Sequence, residues 1–421
     1  MATPAATAAD FARGLARSQL VTAVVADRAY RQFRDGGGKS IDVDAFRKFV
    51  VAHLGLTEYQ AALIQRGRAD GFQIGGYTVL DRIGKGATGG VYKAAHPSGQ
   101  LVAIKVLPGS KAADRHALER FRREGRLLTQ LDHPNVVRAF EVGSAGRVQF
   151  IVMEYLDGET LDQLLARRGK LPAPEAVRLA RQALFGLQHL HDRRTVHRDL
   201  KPANLMVTPG GGPTTLAATL KLLDVGIGRE LPVAPEQPFD IRLTSVGAVL
   251  GTPRYLAPEQ ARDARTAGPA SDQYGLGCVL FHLIAGRPPF PDLGELAQLL
   301  QHATARPDEL PDAPPGLRDV IDRLTAKDPA ARYPSAAAAA EALAPFQPAG
   351  AVAASASAVL PAYRDWLRTA GEPAESPPEL EVVAPPLRSP FALTRRDLMM
   401  MGVGVAGALA AVGIGVTLAR M

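Results

Sequence analysis

One cysteine stands in 421 residues. That scarcity excludes a disulfide scaffold and any zinc module built on cysteine pairs, and it fits a reducing compartment. Neither sign of charge is in large excess: 49 Lys and Arg face 42 Asp and Glu, a net charge of +7. The mild basic surplus suits anionic surfaces such as lipid headgroups or nucleotides, but by itself it does not argue for nucleic-acid binding. Residues 2–9 lack a charged segment followed by an apolar run, so no secretory signal is expected. Apolar residues are not scarce: at 46% hydrophobic and 22% charged the chain is no disordered polymer. Its length allows two or three units, or one large domain with additions.

Helical spacing opens the chain. Residues 10–33 and 42–66 read as helices, with Phe46, Phe49, Val50 and Leu54 on one face. Asp42 suits an N-cap, Thr57 with Gln60 forms a capping box for another helix, and Gly36-Gly37-Gly38 separates the two stretches. Residues 1–70 therefore read as a small helical extension. From Tyr77 the pattern turns to short apolar runs between Gly and Pro turns: 77–83, 91–94, 101–107 and 150–153 are expected strands. Residues 114–130, 174–192 and 271–286 are expected helices, so a smaller β-rich lobe precedes a larger α-rich one. Residues 347–397 are rich in Ala, Ser and Pro and read as a linker, interrupted by an amphipathic patch from Tyr363 to Leu367. Cys278, His189 and His191 read as packed residues. The arginines at 115, 120, 122, 123 and 126 read as a solvated helix face, and 208–219 as a tolerated insertion between strands.

Gly84-Lys85-Gly86-Ala87-Thr88-Gly89-Gly90-Val91 is a G-x-G-x-x-G-x-V run. A dinucleotide fold uses the same spacing, but it enters a helix after the glycines and carries an acid about 20 residues on. Here a second strand follows and the residue 21 positions after Gly84 is Lys105, which suits a phosphate rather than a ribose hydroxyl. Glycines let a strand–turn–strand flap approach phosphates closely with backbone N–H donors. Lys105 needs a partner to fix its stem, and Glu124 on the next helix is the candidate.

Val196-His197-Arg198-Asp199-Leu200-Lys201-Pro202-Ala203-Asn204 then gives an H-R-D-L-x-x-x-N string, a highly specific pattern. With it the chain resembles the eukaryotic-like Ser/Thr protein kinases of bacteria, over about residues 77–346. The resemblance implies an α+β, bilobal protein kinase fold and ATP-dependent transfer of a γ-phosphoryl group to Ser or Thr hydroxyls of proteins. It implies Asp199 as the residue that orients and deprotonates the substrate hydroxyl, and Lys201 as neutraliser of the transferring group. It further implies Lys105, paired with Glu124, on the α/β-phosphates, and Asn204 and Asp224 on Mg²⁺, for which Mn²⁺ is a substitute. Around the nucleotide it places Ile83, the 84–91 run, Ala103, Met153 at the back of the adenine pocket, and the Glu154–Leu156 backbone. Lys201, two residues after Asp199, is the Ser/Thr mark. Glu259 of Ala257-Pro258-Glu259 is expected to pair with Arg332, and Asp272 to brace the catalytic loop from below. A nucleotide-binding pseudokinase scaffold is the alternative, and a dinucleotide oxidoreductase is disfavoured by Lys105.

One departure stands out: the usual Asp-Phe-Gly reads Asp224-Val225-Gly226. The metal-binding Asp is kept, while a smaller side chain replaces the Phe that normally packs beneath the Lys–Glu helix. The two expectations are plain tolerance and a kinase that leans inactive. Arg198 before Asp199 implies regulation by a phosphorylated activation segment, with Thr244 and Ser245 as candidates and Thr252 more suited to a structural bond.

Leu398–Ala419 is 22 residues without a charge, about 33 Å as a helix and enough to cross a bilayer core. Gly404/Ala408, Gly407/Ala411 and Ala411/Gly415 are small-xxx-small pairs suited to a homodimer. Arg395-Arg396 precede the span, so the expected location is the cytoplasmic membrane, single-pass, with the kinase domain facing the cytoplasm and no extracellular ligand domain. The similarity of 394–399 to a twin-arginine export signal reads as coincidence at this end of the chain. The expected partners are Ser/Thr-bearing proteins and the membrane, not nucleic acid.

Overall fold

Four short helices come first: Ala8–Arg17 (α1), Ala23–Asp35 (α2), Val43–Leu54 (α3) and Glu58–Gln65 (α4). A computed structural model of the chain describes residues 3–85, 89–210, 214–225, 253–263, 266–290, 294–310, 313–347 and 359–369. The single helix expected over 10–33 is broken in two. Ser18 turns its hydroxyl onto the Leu15 carbonyl at 2.6 Å, Gln19 takes φ +59°, and Thr22 restarts the chain by capping Val25 N–H. The capping box of Thr57 and Gln60 opens α4 as its spacing predicts. The four helices share a core of Phe11, Phe33, Phe46, Val50 and Ile64, with Phe11 and Phe46 edge to face at 5.6 Å.

A six-stranded antiparallel sheet follows: Gln73–Ile74 (β1), Tyr77–Lys85 (β2), Gly90–Ala95 (β3), Leu101–Leu107 (β4), Ala139–Ala145 (β5) and Val148–Glu154 (β6), in the order β1-β2-β3-β4-β6-β5. β5 was not expected, because its sequence, AFEVGSA, has too little alternation to stand out from a loop. α4 seals part of β2: Gln60 Nε2–H donates to the Val79 carbonyl at 2.7 Å and the Thr57 hydroxyl to the Leu80 carbonyl at 2.5 Å. Side chains thus satisfy carbonyls that a neighbouring strand would otherwise take.

Alternation along β4 serves two cores. Ala103 and Leu107 join the central core, while Val102 and Ile104 join Tyr77, Ala94, Phe150 and Val152 in a cluster on the other face. That outer face needs a cover, and the amphipathic patch that interrupts the expected linker supplies it. Pro361–Thr369 (α14) is a helix that lies on it, with Tyr363 fully buried.

Between sheet strands run Gly109–Ala112 (α5) and Arg115–Leu128 (α6), the latter capped by Asp114. Arg115, Arg120, Arg122, Arg123 and Arg126 on α6 are exposed. The helical lobe comprises Leu161–Arg168 (α7), Ala173–Asp192 (α8), Pro258–Arg262 (α9), Pro269–Ala285 (α10), Glu295–Thr304 (α11), Leu317–Leu324 (α12) and Ala336–Leu343 (α13). A small sheet sits at its junction with the first lobe: Glu159–Thr160 (β7), Leu205–Thr208 (β8) and Thr219–Leu222 (β9). Between β8 and β9, Thr215 donates its N–H and hydroxyl to buried Glu175 at 2.9 and 2.8 Å. Cys278 is fully buried in α10. The expected span 398–419 lies outside the described residues; among these, no helix is long and apolar enough to cross a membrane.

Candidate active site

The cleft between the lobes is built by strand register. In β3, β4 and β6, Val91 stands opposite Lys105 and Ala103 opposite Met153. Three residues expected around the nucleotide and the lysine expected on phosphates therefore line one face of adjacent strands. Ala103, Met153 and Leu156 are all nearly buried. β2 and β3 form the hairpin whose tip is the glycine-rich run, with Lys85 paired to Gly90. Residues 86–88 lie outside the described residues. Gly89 leaves no room for a side chain: a Cβ there would stand 1.8 Å from the Val106 carbonyl oxygen.

Lys105 is the centre of the charge arrangement. Its Nζ lies 2.7 Å from Glu124 Oε1 on α6 and 3.0 Å from Asp224 Oδ1 just beyond β9. Burial disfavours the ammonium, but the carboxylates of Asp224 and Glu124 outweigh it and push the pKa up to about 12. The Asp224 carboxyl is also disfavoured by burial on one side, yet Lys105, with His197 and Lys201 adding to it, holds its pKa below the usual value. Its other side opens to the cleft, with half of the side chain exposed. Asp224 has φ +47°, a left-handed backbone in a non-glycine residue, which aims the carboxylate back at Lys105.

The loop after α8 carries the second group. Lys201 Nζ sits 2.9 Å from Asp199 Oδ2, and the Asn204 amide donates to the Asp199 carbonyl at 2.8 Å and to Oδ2 at 3.0 Å. This loop is held from beneath by Asp272 on α10. Its carboxylate accepts the backbone N–H groups of His197 and Arg198, each at 2.9 Å, and contacts His191 Nε2 at 2.8 Å. Arg198 is thereby kept at φ +64°. His197 Nε2–H donates to the Leu223 carbonyl at 2.9 Å, and Leu223 N–H donates to the Asn204 carbonyl at 2.9 Å. Two bonds thus tie the Asp199 loop to the residue before Asp224. His191, expected only to pack, belongs to this bracing network.

Asn204 and Asp224 offer oxygen donors only, and no cluster of three or more His, Cys, Asp or Glu side chains able to hold a metal occurs among the described residues. Such a sparse oxygen set would suit a hard divalent cation that takes its remaining oxygen ligands from elsewhere. The nearby ammoniums of Lys105 and Lys201 mark the same spot as one that holds opposed charges.

Val225 is fully buried in the central core. Lys105 and Glu124 on α6 are paired at 2.7 Å in the same arrangement. Thr244, Ser245 and Thr252 lie outside the described residues. Sequence reasoning missed the buried pair Lys221–Glu154, at 2.7 Å with both side chains 4% exposed. Glu154 also accepts the Arg138 N–H at 2.8 Å. Lys221 lies in the otherwise apolar run Leu220–Leu223, but nothing local to either residue names its partner.

The protein kinase domain model matches residues 77–343, and the chain belongs to that family. Over 268 residues it is 36% identical to the serine/threonine-protein kinase PknA of Mycobacterium tuberculosis, covering 62% of this chain and 59% of PknA. It is 36% identical over 267 residues to the serine/threonine-protein kinase PrkC of Bacillus subtilis, covering 62% of this chain and 39% of PrkC. The crystal structure of the PknI kinase domain of M. tuberculosis is similar with a TM-score of 0.50 and 27% identity, over 65% of this chain and 96% of that one. The chain thus spans about three fifths of PknA and less of PrkC.

Proposed function

We propose that this chain is an ATP- and Mg²⁺-dependent Ser/Thr protein kinase. One observation carries the reading: Lys105 bridges Glu124 and Asp224 while Lys201 and Asn204 converge on Asp199 in the neighbouring loop. Phosphoryl transfer asks the protein chiefly for positioning and for cations around charge that develops on three oxygens. Asp199 orients the incoming hydroxyl and takes its proton. Lys201, already bonded to Asp199, neutralises the transferring group, and Lys105 grips the α- and β-phosphates. Asn204 and Asp224 would hold Mg²⁺, which supplies charge neutralisation between the phosphates when bound. Backbone N–H groups of the glycine-rich run cover the phosphates, and the hinge at Glu154–Leu156 takes adenine.

The pseudokinase alternative is disfavoured, because no residue of this set is missing. Transfer of label from γ-labelled ATP to protein, compared between wild type and Asp199→Ala, tests the reading. Equal incorporation by both would overturn it.

Further parts of the reading rest on sequence. Residues 398–419 are proposed as a single span of the cytoplasmic membrane, with the kinase domain on the cytoplasmic side and small-residue pairs favouring a homodimer. Autophosphorylation is proposed at Thr244 or Ser245, supported by Arg198 beside Asp199. Its check is mass spectrometry of active protein, and absence of phosphate at both sites would count against it.

A further inference from the structure

Helix α14 lies beyond the family match, which ends at residue 343, yet it is built into the first lobe. The Tyr363 hydroxyl bonds the Tyr77 hydroxyl at 2.9 Å. The Tyr363 ring meets His96 at 5.0 Å and Phe140 at 5.3 Å, and the Trp366 ring lies 4.4 Å from His96 and 5.9 Å from Tyr77. The Leu360 N–H donates to Gln100 Oε1 at 2.9 Å. These contacts fall on β2, on the turn between β3 and β4, and on β5.

Their placement on the β2–β3 hairpin has a mechanical meaning. Thr78 pairs with Ala95 at one end of this hairpin and Lys85 with Gly90 at the other. Tyr77 and His96 therefore mark its open end, and the glycine-rich tip its closed end. A brace at the open end limits how far the whole flap can swing over the phosphates.

The brace is also poised to let go. α14 has nine residues, too few for an isolated helix to persist in water, so its helicity depends on being docked. Pro361, Ala362, Arg364, Asp365, Arg368 and Thr369 are exposed, so one face carries nearly all of the contact.

We propose that the outer face of this sheet is a docking surface whose occupant is the chain's own segment 359–369. Docking stiffens the β2–β3 flap and raises phosphoryl transfer, and release of the segment is a built-in down-regulated state. The effect on rate rests on the kinase reading above; the docking does not.

Trp366 is the chain's one tryptophan, so its emission reports docking directly on the full-length protein. The expected result is a blue-shifted emission in wild type relative to a free peptide of residues 359–369. Tyr363→Ala and His96→Ala should each move the emission toward that of the peptide, while Arg364→Ala, at an exposed position, should not. In the kinase assay Tyr363→Ala should raise KM for ATP several-fold, and added wild-type peptide should restore it in trans. Wild-type emission equal to that of the free peptide would overturn the docking. Undocking by Tyr363→Ala and by His96→Ala with unchanged KM and kcat would overturn the regulatory role. Equal labelling by wild type and Asp199→Ala would instead remove the kinase reading and leave the fluorescence result standing.

Discussion

Arg332 grips both carboxylate oxygens of Glu259, at 2.6 and 2.9 Å, across 73 residues of sequence. The guanidinium is fully buried. It also donates to the Ala270 and Ala326 carbonyls, at 2.8 and 2.9 Å, while Ser271 donates to the same carboxylate at 2.7 Å. The pair fastens α9, which follows the segment from Asp224, to the floor of the helical lobe. Removing one partner strands the other in a dry site, which costs about 3–5 kcal/mol. Arg332→Ala is therefore expected to lower the denaturant midpoint strongly. Arg332→Lys should recover little, since an ammonium cannot reproduce two parallel bonds plus the carbonyl contacts. A near-wild-type midpoint for the lysine variant would show that the planar fork is not what matters.

Acid should destabilise the fold well before the carboxylates titrate. Burial lowers the pKa of His133, His282 and His302 to about 4 in each case. In the unfolded chain these groups titrate near 6.5, so between pH 6.5 and 4 the unfolded state binds more protons than the folded one. Stability must then fall as pH drops through that window. Below it a second loss begins. Glu175 is disfavoured by burial but held at about 2 by Arg168 and Thr215, so its contribution is complete above the unfolded value of 4.5 and lost as pH falls toward 2. Urea midpoints measured from pH 7 to 4 check this, and a flat profile between 6.5 and 5 would contradict it.

Lys105 and Asp224 behave differently. The lysine is raised to about 12, so its contribution is complete below the unfolded value of 10.5 and fades only as pH rises through 12. Asp224 is lowered, so its contribution persists above 3.8 and is lost as pH falls through its depressed value. Lys105→Met should therefore lower phosphoryl transfer on the order of 10²–10³-fold, the usual cost of losing one preorganised donor. The fold loss should be nearly constant from pH 6.5 to 8.5. A loss that varied steeply with pH in that range would mean that the pair titrates there.

Much of the cleft was legible because its chemistry needs fixed residue types in order. Lys105, Glu124, Asp199, Lys201, Asn204 and Asp224 were named from spacing and resemblance, and they converge as two bonded groups. Strand alternation likewise anticipated β2, β3 and β4. What stayed hidden depends on long-range contacts. Tyr363 and Trp366 stood in an Ala/Pro-rich stretch, and only the apolar outer face around Tyr77 and Ile104 gives them a place. Gln19 offered no sequence signal for a left-handed break in the first helical stretch. Lys221 and Glu154 looked like ordinary strand residues, because a pairing 67 positions apart leaves no local mark.

Gly89 should tolerate no side chain. The Cβ of Gly89→Ala would stand 1.8 Å from a carbonyl oxygen of β4, a backbone group that cannot step aside cheaply. The loop must then lift from the strand, and its N–H donors lift with it. Gly89→Ala is expected to raise KM for ATP about tenfold or more, equivalent to at least ~1.4 kcal/mol of lost binding, with little change in melting temperature. Gly84→Ala is the control, because its Cβ would meet only Val91 at an ordinary 3.5 Å. Equal effects of the two substitutions would show that the close approach is not the cause.

The Lys221–Glu154 pair makes the last prediction, and it separates charge from shape. Both side chains are 4% exposed, and Glu154 also receives the Arg138 N–H, so the carboxylate has two partners in a dry setting. Lys221→Met keeps the volume and removes the ammonium, leaving the buried Glu154 carboxyl with the Arg138 N–H as its single donor. That variant should lose about 3–5 kcal/mol of stability. The double variant Lys221→Met with Glu154→Gln removes both charges and keeps an acceptor for Arg138, so it should regain most of the loss. Denaturation of the two single variants and the double variant measures the coupling. If the double variant is as unstable as the sum of the singles, the pair is two independent packing positions rather than one electrostatic unit.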